Sequence, residues 1–186
     1  MNTEGFKMDK RKISNAFNQY TDKAKKYIND SAGIKNLMNK LDDKMESMPQ
    51  VGPVWDNLKS MVAMLGAYAR KEYTDVPVRT IAAIIGALLY IINPIDVMMD
   101  VIPVVGLADD IIVIVLAYNI AKADVEKYNK WLLENGKIDI DIEFQDQDAA
   151  STAYENLGED VKKTVEDIFV EAPHAEVDET TEIKFD

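Results

Sequence analysis

The stretch IAAIIGALLYII, residues 81–92, decides the fold of this chain. It contains no charged side chain, and no basic residue lies between Arg79 and Lys122. A helix that is apolar on every side must be surrounded either by other helices or by lipid. The run from Ile111 to Ile120 is nearly as apolar. We therefore expect residues 78–92 and 107–134 to form a central helical hairpin.

Neither apolar run is long enough to span a bilayer, which takes about twenty consecutive apolar residues. The first run is bounded by Arg79 and Pro94, and the second is preceded by Asp109 and Asp110. The sequence therefore favours a hairpin that is buried in protein. A re-entrant or peripheral association with a membrane is the open alternative.

Three amphipathic helices are predicted before the hairpin, because apolar residues recur there every three or four positions. The first runs from about residue 9 to residue 29. The second begins with Ser31 as its N-cap and ends at Pro49. The third opens at Pro53, a residue suited to a first helical turn, and should stop near Tyr73.

The chain ends in an acidic segment whose periodicity changes. Apolar and charged side chains alternate in residues 137–144 and again in 182–185, which is typical of strands. A capping box predicts one short helix between them. The predicted fold class is mainly α, with about five helices around the apolar hairpin and a small acidic C-terminal β/α appendage. The predicted domains are residues 1–136 and 137–186.

The net charge of −12 is unevenly distributed. From Ile138 onward there are sixteen Asp and Glu against three Lys, whereas the seventeen acids and eighteen bases before that point nearly cancel. Acidic charge repels phosphate backbones, so nucleic acid is not the expected partner. The early basic residues are interpreted as the exposed face of a helix: Lys7, Lys10, Arg11, Lys12, Lys23, Lys25 and Lys26.

The usual catalytic side chains are missing. There are no cysteines, which excludes disulfides and thiolate metal sites, and the single histidine, His174, lies in the acidic segment. Nucleophilic dyads and zinc sites therefore have no members, and there is no Gly-rich phosphate loop. The first residues lack the apolar core of a secretory signal, so we expect a cytoplasmic protein that is not secreted. In the membrane alternative above, it is also membrane-associated.

Four carboxylates lie in the otherwise uncharged centre of the chain: Asp96, Asp100, Asp109 and Asp110. If Pro94 opens a short helix, the first two carboxylates share one face of it. Gly106 predicts a turn, which puts the second pair in the first turn of a long last helix. That helix should run to Glu134 and be closed by Asn135-Gly136.

Two interpretations of these carboxylates stay open, because buried carboxylates must be compensated. In the first, Asp96 and either Asp109 or Asp110 cap helix ends, and Asp100 pairs with a base such as Arg70, Arg79 or Lys122. In the second, all four bind Mg²⁺ or Ca²⁺, which prefer oxygen ligands. The second interpretation would suit a cation-binding protein or a metal-dependent hydrolase.

The run from Tyr90 to Asp110 resembles the signature of the YkvA-like family, a mainly bacterial domain of unknown function. The matching positions stand in register without a gap: Tyr90, Pro94, Asp96, Asp100, Pro103, Gly106, Asp109 and Asp110. Asn93 departs from the usual Ser, and Met99 from the usual Pro. The resemblance covers about residues 55–133 and implies a helical domain, often predicted to be membrane-associated, with no established reaction.

These observations predict a non-enzymatic interaction module. Its acidic segment would contact a basic protein partner, because a polyanionic segment steers association with cationic surfaces. The inner face of the membrane is a second predicted contact. No cofactor is expected, apart from Mg²⁺ or Ca²⁺ in the alternative above, and the sequence does not set the oligomeric state.

Overall fold

A computed structural model of the chain describes residues 10–45, 52–93 and 103–137. Within these residues there are five helices and no strand. The helices are α1 (Lys10–Ala24), α2 (Ser31–Met45), α3 (Gly52–Ala69), α4 (Val78–Ile92) and α5 (Pro103–Glu134). The predicted mainly α fold is confirmed. The strands and the short helix predicted in the acidic segment lie outside the described residues, and the two-domain division stays a prediction.

Helices α4 and α5 are antiparallel. Thr80, near the start of α4, donates a hydrogen bond to Asp124, which lies late in α5. Helices α3 and α5 are parallel instead, since Tyr128 of α5 bonds to the carbonyl of Ala63 in α3. Further along both segments, the residues that follow these helices also meet.

The first two helices complete an alternating up-and-down arrangement. Thr21 of α1 lies against Gly86 near the middle of α4, and the end of α2 reaches the end of α4 through a bond from Lys44 to the carbonyl of Ile91. Helices α2 and α4 therefore run one way, and α1, α3 and α5 run the other. We call the end where α4 finishes the signature end, and the opposite end, which includes Lys137, the exit end.

Helix α4 is the central element and packs against all four other helices. Its residues from Thr80 to Leu88, with Tyr90 and Ile91, are buried. Among the described residues, Leu133 is the only large apolar side chain that is exposed. The apolar run therefore forms the core of a helical bundle, which confirms the predicted buried hairpin.

A close approach between α1 and α4 explains the glycine in this core. A Cβ atom added to Gly86 would lie 2.9 Å from the hydroxyl oxygen of Thr21 and 3.0 Å from its backbone nitrogen. The Thr21 hydroxyl itself donates to the carbonyl of Phe17 at 2.9 Å, so it is satisfied within α1. Because the obstacle includes backbone, Gly86 allows a separation that a side chain would prevent.

Helix α3 ends at Ala69, which corrects the predicted stop near Tyr73. Lys71 has a φ of 61°, and the N–H groups of Lys71 and Glu72 bond back to carbonyls in the last turn of α3. This is a Schellman motif, which normally has glycine at the left-handed position. Helix α5 ends in the same motif with Gly136 there, as predicted.

Two predicted ends of the first helices are also wrong. Helix α1 ends at Ala24, because residues 25–29 continue as turns with short-range backbone bonds. The N-cap of α2 is Asp30 rather than Ser31, since a carboxylate oxygen of Asp30 accepts the N–H of Gly33 at 2.8 Å. The predicted end of α2 at Pro49 lies outside the described residues.

Helix α5 begins at Pro103, four residues before the predicted start of the second hairpin helix at residue 107. Gly106, predicted to form a turn, lies inside the helix. Proline fits the first helical position because its missing N–H is not needed there. A glycine inside a helix costs only about 1 kcal/mol relative to alanine, so an isolated one need not interrupt it.

Candidate functional site

The predicted signature spans the end of α4 and the start of α5, and antiparallel packing brings these segments to one end of the bundle. Tyr90 lies in the last turn of α4, and Pro103 and Gly106 lie in the first turns of α5. The short helix predicted to begin at Pro94 lies outside the described residues, together with Asp96 and Asp100. Their predicted roles stay predictions.

The second pair of signature carboxylates does not cap α5. Asp109 and Asp110 are the seventh and eighth residues of this helix, which starts at Pro103. The N–H groups that lack an intrahelical acceptor belong to the first four residues of a helix. The prediction that both residues lie in the first turn of the last helix is therefore wrong, because α5 begins earlier than expected. The side chain of Asp110 is half-buried.

The described residues contain no group of three or more His, Cys, Asp or Glu side chains that could hold a metal ion. Of the four carboxylates predicted to bind Mg²⁺ or Ca²⁺, only the side chain of Asp110 belongs to this described part. The predicted cation site therefore stays a prediction.

Two tyrosines and an asparagine join α1 to the last turn of α4. The rings of Tyr20 and Tyr90 meet edge to face with centroids 5.7 Å apart, a favourable geometry for aromatic pairs. The side-chain amide of Asn93 donates to the hydroxyl oxygen of Tyr20 at 3.0 Å. Asn93 stands where the family signature usually has Ser, so this departure brings an amide donor to the end of α4.

A lysine closes the same end from α2. The ammonium of Lys44 donates to the carbonyl oxygen of Ile91, one of the last carbonyls of α4 that have no intrahelical partner. A cation at the C-terminal end of a helix also interacts favourably with the helix dipole. Lys44 was not among the bases predicted for this region.

Three bases were predicted as partners of Asp100, which itself lies outside the described residues, so this pairing stays a prediction. Arg70 forms two hydrogen bonds with Glu72, at 3.0 and 3.1 Å. Arg79 is in the first turn of α4, at the exit end, about 20 Å of helix away from the signature end. Lys122 is exposed on α5.

The sequence analysis missed the only charged side chain that is buried in the described part of the chain. Asp124 is 6% exposed and accepts the hydroxyl of Thr80 at 2.6 Å and the ammonium of Lys127 at 3.3 Å. These bonds compensate the cost of burying a carboxylate. The helical period contained the signal, because Asp124 falls between the buried Ala121 and Tyr128 at spacings of three and four.

An aromatic cluster fixes the exit end. Tyr73, Tyr128 and Trp131 have ring centroids between 5.1 and 5.9 Å apart. Burial raises the pKa of Tyr73, and the nearby Asp75 and Asp124 carboxylates raise it further. The cluster holds the end of α5 against the segment that follows α3.

The last described residue is tied to this cluster. The ammonium of Lys137 lies 4.6 Å from the centroid of the Trp131 ring and 4.0 Å from the carboxylate of Glu72. The hydrogen bond from Arg70 holds the pKa of Glu72 below its usual range. The acidic segment therefore departs from a defined point on the bundle.

Known proteins resemble this chain in the region that contains the signature. A family profile described as "Protein of unknown function (DUF1232)" matches residues 80–116, which include the whole signature. An uncharacterized membrane protein, YkvA, of Bacillus subtilis (strain 168) is 31% identical over 78 residues. These residues are 42% of this chain and 74% of that protein. The chain belongs to the YkvA-like family.

Membership of the YkvA-like family confirms the resemblance expected from the signature and assigns no reaction, since the family is described as one of unknown function. No solved structure matches the chain. Within residues 10–45, 52–93 and 103–137, no helix combines the length and the apolar character needed to cross a membrane.

Proposed function

We propose that this protein is a non-enzymatic helical interaction module whose acidic segment, residues 138–186, contacts a basic protein partner. The supporting observation is that the described bundle encloses its apolar surface. Helix α4 is covered by the other four helices, and Leu133 is the only large exposed apolar side chain in the described part. Contacts made by this surface would therefore be mainly polar or charged.

The distribution of charge favours the acidic segment as the part of the chain that contacts the basic partner. It has sixteen acids against three lysines, whereas acids and bases nearly cancel in the rest of the chain. Several charges of the bundle are also paired with each other, as in Lys130–Glu134 and Lys59–Asp56. A concentrated charge of one sign steers binding to a surface of the opposite sign.

We further propose that association with a membrane is peripheral. The relative in Bacillus subtilis is called a membrane protein. Helix α4 has 15 residues and is about 22 Å long, whereas the apolar core of a bilayer is about 30 Å thick. Attachment through a surface or through a membrane-bound partner keeps α4 in the bundle.

Fractionation of the untagged chain tests the peripheral attachment. Cells are lysed without detergent, and the membrane pellet is washed first with salt and then with carbonate. We expect the chain in the supernatant or released by these washes, because charge-based contacts are screened by salt. A fraction that resists carbonate and requires detergent would contradict peripheral attachment.

A charge-neutralised variant tests the partner contact. Five acids are replaced by their amides: Asp139, Asp141, Glu143, Asp146 and Asp148. The control replaces five exposed acids of the bundle in the same way: Asp42, Asp43, Asp56, Glu126 and Glu134. We expect the native chain and the control to capture the same basic proteins, and the first variant to lose them. Equal capture by all three would contradict the proposal.

A further inference from the structure

We infer that the acidic segment contacts the lysines at the end of α1 and in the turn that follows it, in the same chain, when no partner is bound. We call Lys23, Lys25 and Lys26 the lysine face. The inference rests on the proposed function, because both assign binding to the acidic segment. In addition, the lysine face would compete with the basic partner for the acidic segment, because the partner must displace this face to reach the acidic residues.

Helix α1 and the turn that follows it carry the densest positive charge in the described part of the chain. Residues 10–29 contain six bases, and Asp22 is the only acid among them. The three side chains of the lysine face are exposed. The remaining bases, Lys10, Arg11 and Lys12, belong to the first turn of α1.

The contacts recorded for the lysine face leave it available for a stronger partner. The ammonium of Lys25 lies 3.0 Å from the carboxylate of Asp22, but both side chains are exposed to solvent, and such pairs contribute little to stability. Lys23 lies over the Tyr20 ring at 4.6 Å from its centroid. One acid cannot neutralise this face, whereas the acidic segment has thirteen more acids than bases.

The fold brings the start of the acidic segment to the end of the bundle where α1 finishes. The hydroxyl of Tyr68 donates to the carbonyl of Ile28 at 3.1 Å, which joins the turn after α1 to the end of α3. Glu72, one turn further along, lies 4.0 Å from Lys137. The turn that follows α1 and Lys137, the residue before the acidic segment, therefore lie at the same end of the bundle.

The length of the acidic segment is sufficient for this contact. Forty-nine residues follow Lys137, and ten extended residues span about 33 Å. Tethering gives such a segment an effective concentration on the order of millimolar at a nearby site. An anionic membrane is a weaker candidate for the lysine face, because the chain as a whole carries a charge of −12 and is repelled by it.

The absence of cysteine in the native chain permits a direct test on the full-length protein. A nitroxide label is attached to the variant Ser151→Cys, and amide signal intensities are compared between the paramagnetic and reduced label. We expect signals of residues 19–29 to weaken by about twofold at low salt and to recover near 0.5 M salt, where the Debye length falls to about 4 Å.

Charge reversal identifies the groups responsible. Lys23→Glu, Lys25→Glu and Lys26→Glu together should abolish the weakening, whereas Lys40→Glu, Lys59→Glu and Lys122→Glu, with the same change in charge, should preserve it. No weakening at residues 19–29, or weakening there that neither salt nor reversal of the lysine face alters, would overturn the inference. The salt series on the native lysines decides the matter even if a variant misfolds.

Vesicles containing phosphatidylserine test whether an anionic membrane, rather than the acidic segment, binds the lysine face. We expect the full-length chain not to bind them at physiological salt. Binding that is lost on reversal of the lysine face would overturn the inference, because lipid would then occupy that face. The vesicle and label experiments need no partner protein. A contradictory result in either would therefore overturn the internal contact only, and the contact with a basic partner is tested separately by the charge-neutralised variant.

Discussion

The two ends of the helical bundle are held by different kinds of contact. At the signature end, Lys44 bonds to the backbone carbonyl of Ile91 at the end of α4, and the side chain of Asn93 bonds to the hydroxyl of Tyr20. At the exit end, side chains bond chiefly to one another, through the aromatic cluster, the buried pair of Thr80 and Asp124, and the ion pairs of Glu72.

This difference separates two tasks within one fold. The exit end fixes how α3, α4 and α5 are oriented, because buried polar pairs and stacked rings demand defined geometry. At the signature end, Lys44 supplies a partner for a backbone carbonyl that the finished helix leaves unsatisfied. We therefore expect loss of the buried pair of Thr80 and Asp124 at the exit end to change stability more than loss of the helix-end bond of Lys44 at the signature end.

The largest effect is expected at Asp124. Asp124→Ala should lower the free energy of unfolding by about 2–3 kcal/mol, because it removes a charged acceptor and leaves the buried hydroxyl of Thr80 without it. Asp124→Asn, which keeps an acceptor oxygen, should lose less than half as much. Urea unfolding measures both. An alanine variant as stable as the native protein would show that this pair does not hold the exit end.

We expect the second-largest effect on stability at the contact between α1 and α4, which lies between the two ends of the bundle. Gly86→Ala should lower the free energy of unfolding by about 1–2 kcal/mol, because the new Cβ meets the Thr21 backbone and overpacking outweighs the better helix propensity.

Gly66→Ala is the matched control for that contact. A Cβ at Gly66 would meet only the flexible ends of Arg70 and Met38, both at 3.1 Å. We expect this variant to be neutral or slightly stabilised in the same unfolding assay. If both alanine variants lose the same free energy, the close approach of α1 and α4 is not the cause.

Lys44→Met tests the signature end. It removes one charge-assisted bond to a helix-end carbonyl, and we expect a loss of about 1 kcal/mol, less than for Asp124→Ala. Lys40→Met, on an exposed position of the same helix, should change little. A loss larger than that at Asp124 would reverse the proposed order of the two ends.

The two Schellman motifs at the exit end allow a smaller, opposite effect. Lys71→Gly should raise the free energy of unfolding by about 0.5–1 kcal/mol, because glycine accepts a positive φ without the steric penalty. Gly136→Ala should lower it by a similar amount for the same reason. Thermal unfolding of the two variants should therefore shift in opposite directions, and shifts of equal sign would contradict the left-handed geometry.

The ionisation of Glu72 gives the smallest effect. Its pKa lies below the ordinary value of 4.5, chiefly because Arg70 bonds to the carboxylate. The corresponding stabilisation is present above the unfolded pKa and is lost as pH falls through the lower folded pKa. Arg70→Met should raise the pKa of Glu72 in an NMR titration, and Lys137→Met should raise it less. An unchanged pKa in the first variant would contradict this assignment.

The sequence was sufficient to predict five helices because the apolar stripes of α1 to α3 and the unbroken run of α4 are local features. Helix ends were predicted less well. Lys71 occupies a left-handed position where glycine is usual, so the residue type at this position did not indicate the end of α3. Gly106 suggested a break, but Pro103 starts the helix before it.

The contacts at the candidate site were harder to predict because they join distant parts of the chain. Tyr20 and Asn93 are 73 residues apart, and Lys44 and Ile91 are 47 apart. The family signature directed attention to Tyr90 and the central carboxylates, but not to these partners. Asp124 was detectable from its spacing, although its bond to Thr80 required the antiparallel packing of α4 and α5.

Hydrogen exchange of the backbone amides of α4, in buffer without lipid or detergent, tests the central claim most directly. If α4 is the enclosed core of the bundle, its amides from Ile81 to Ile91 should exchange among the slowest in the protein, through global unfolding. Rapid exchange of α4 in buffer, with protection appearing only after vesicles are added, would contradict the account and place the apolar run in lipid.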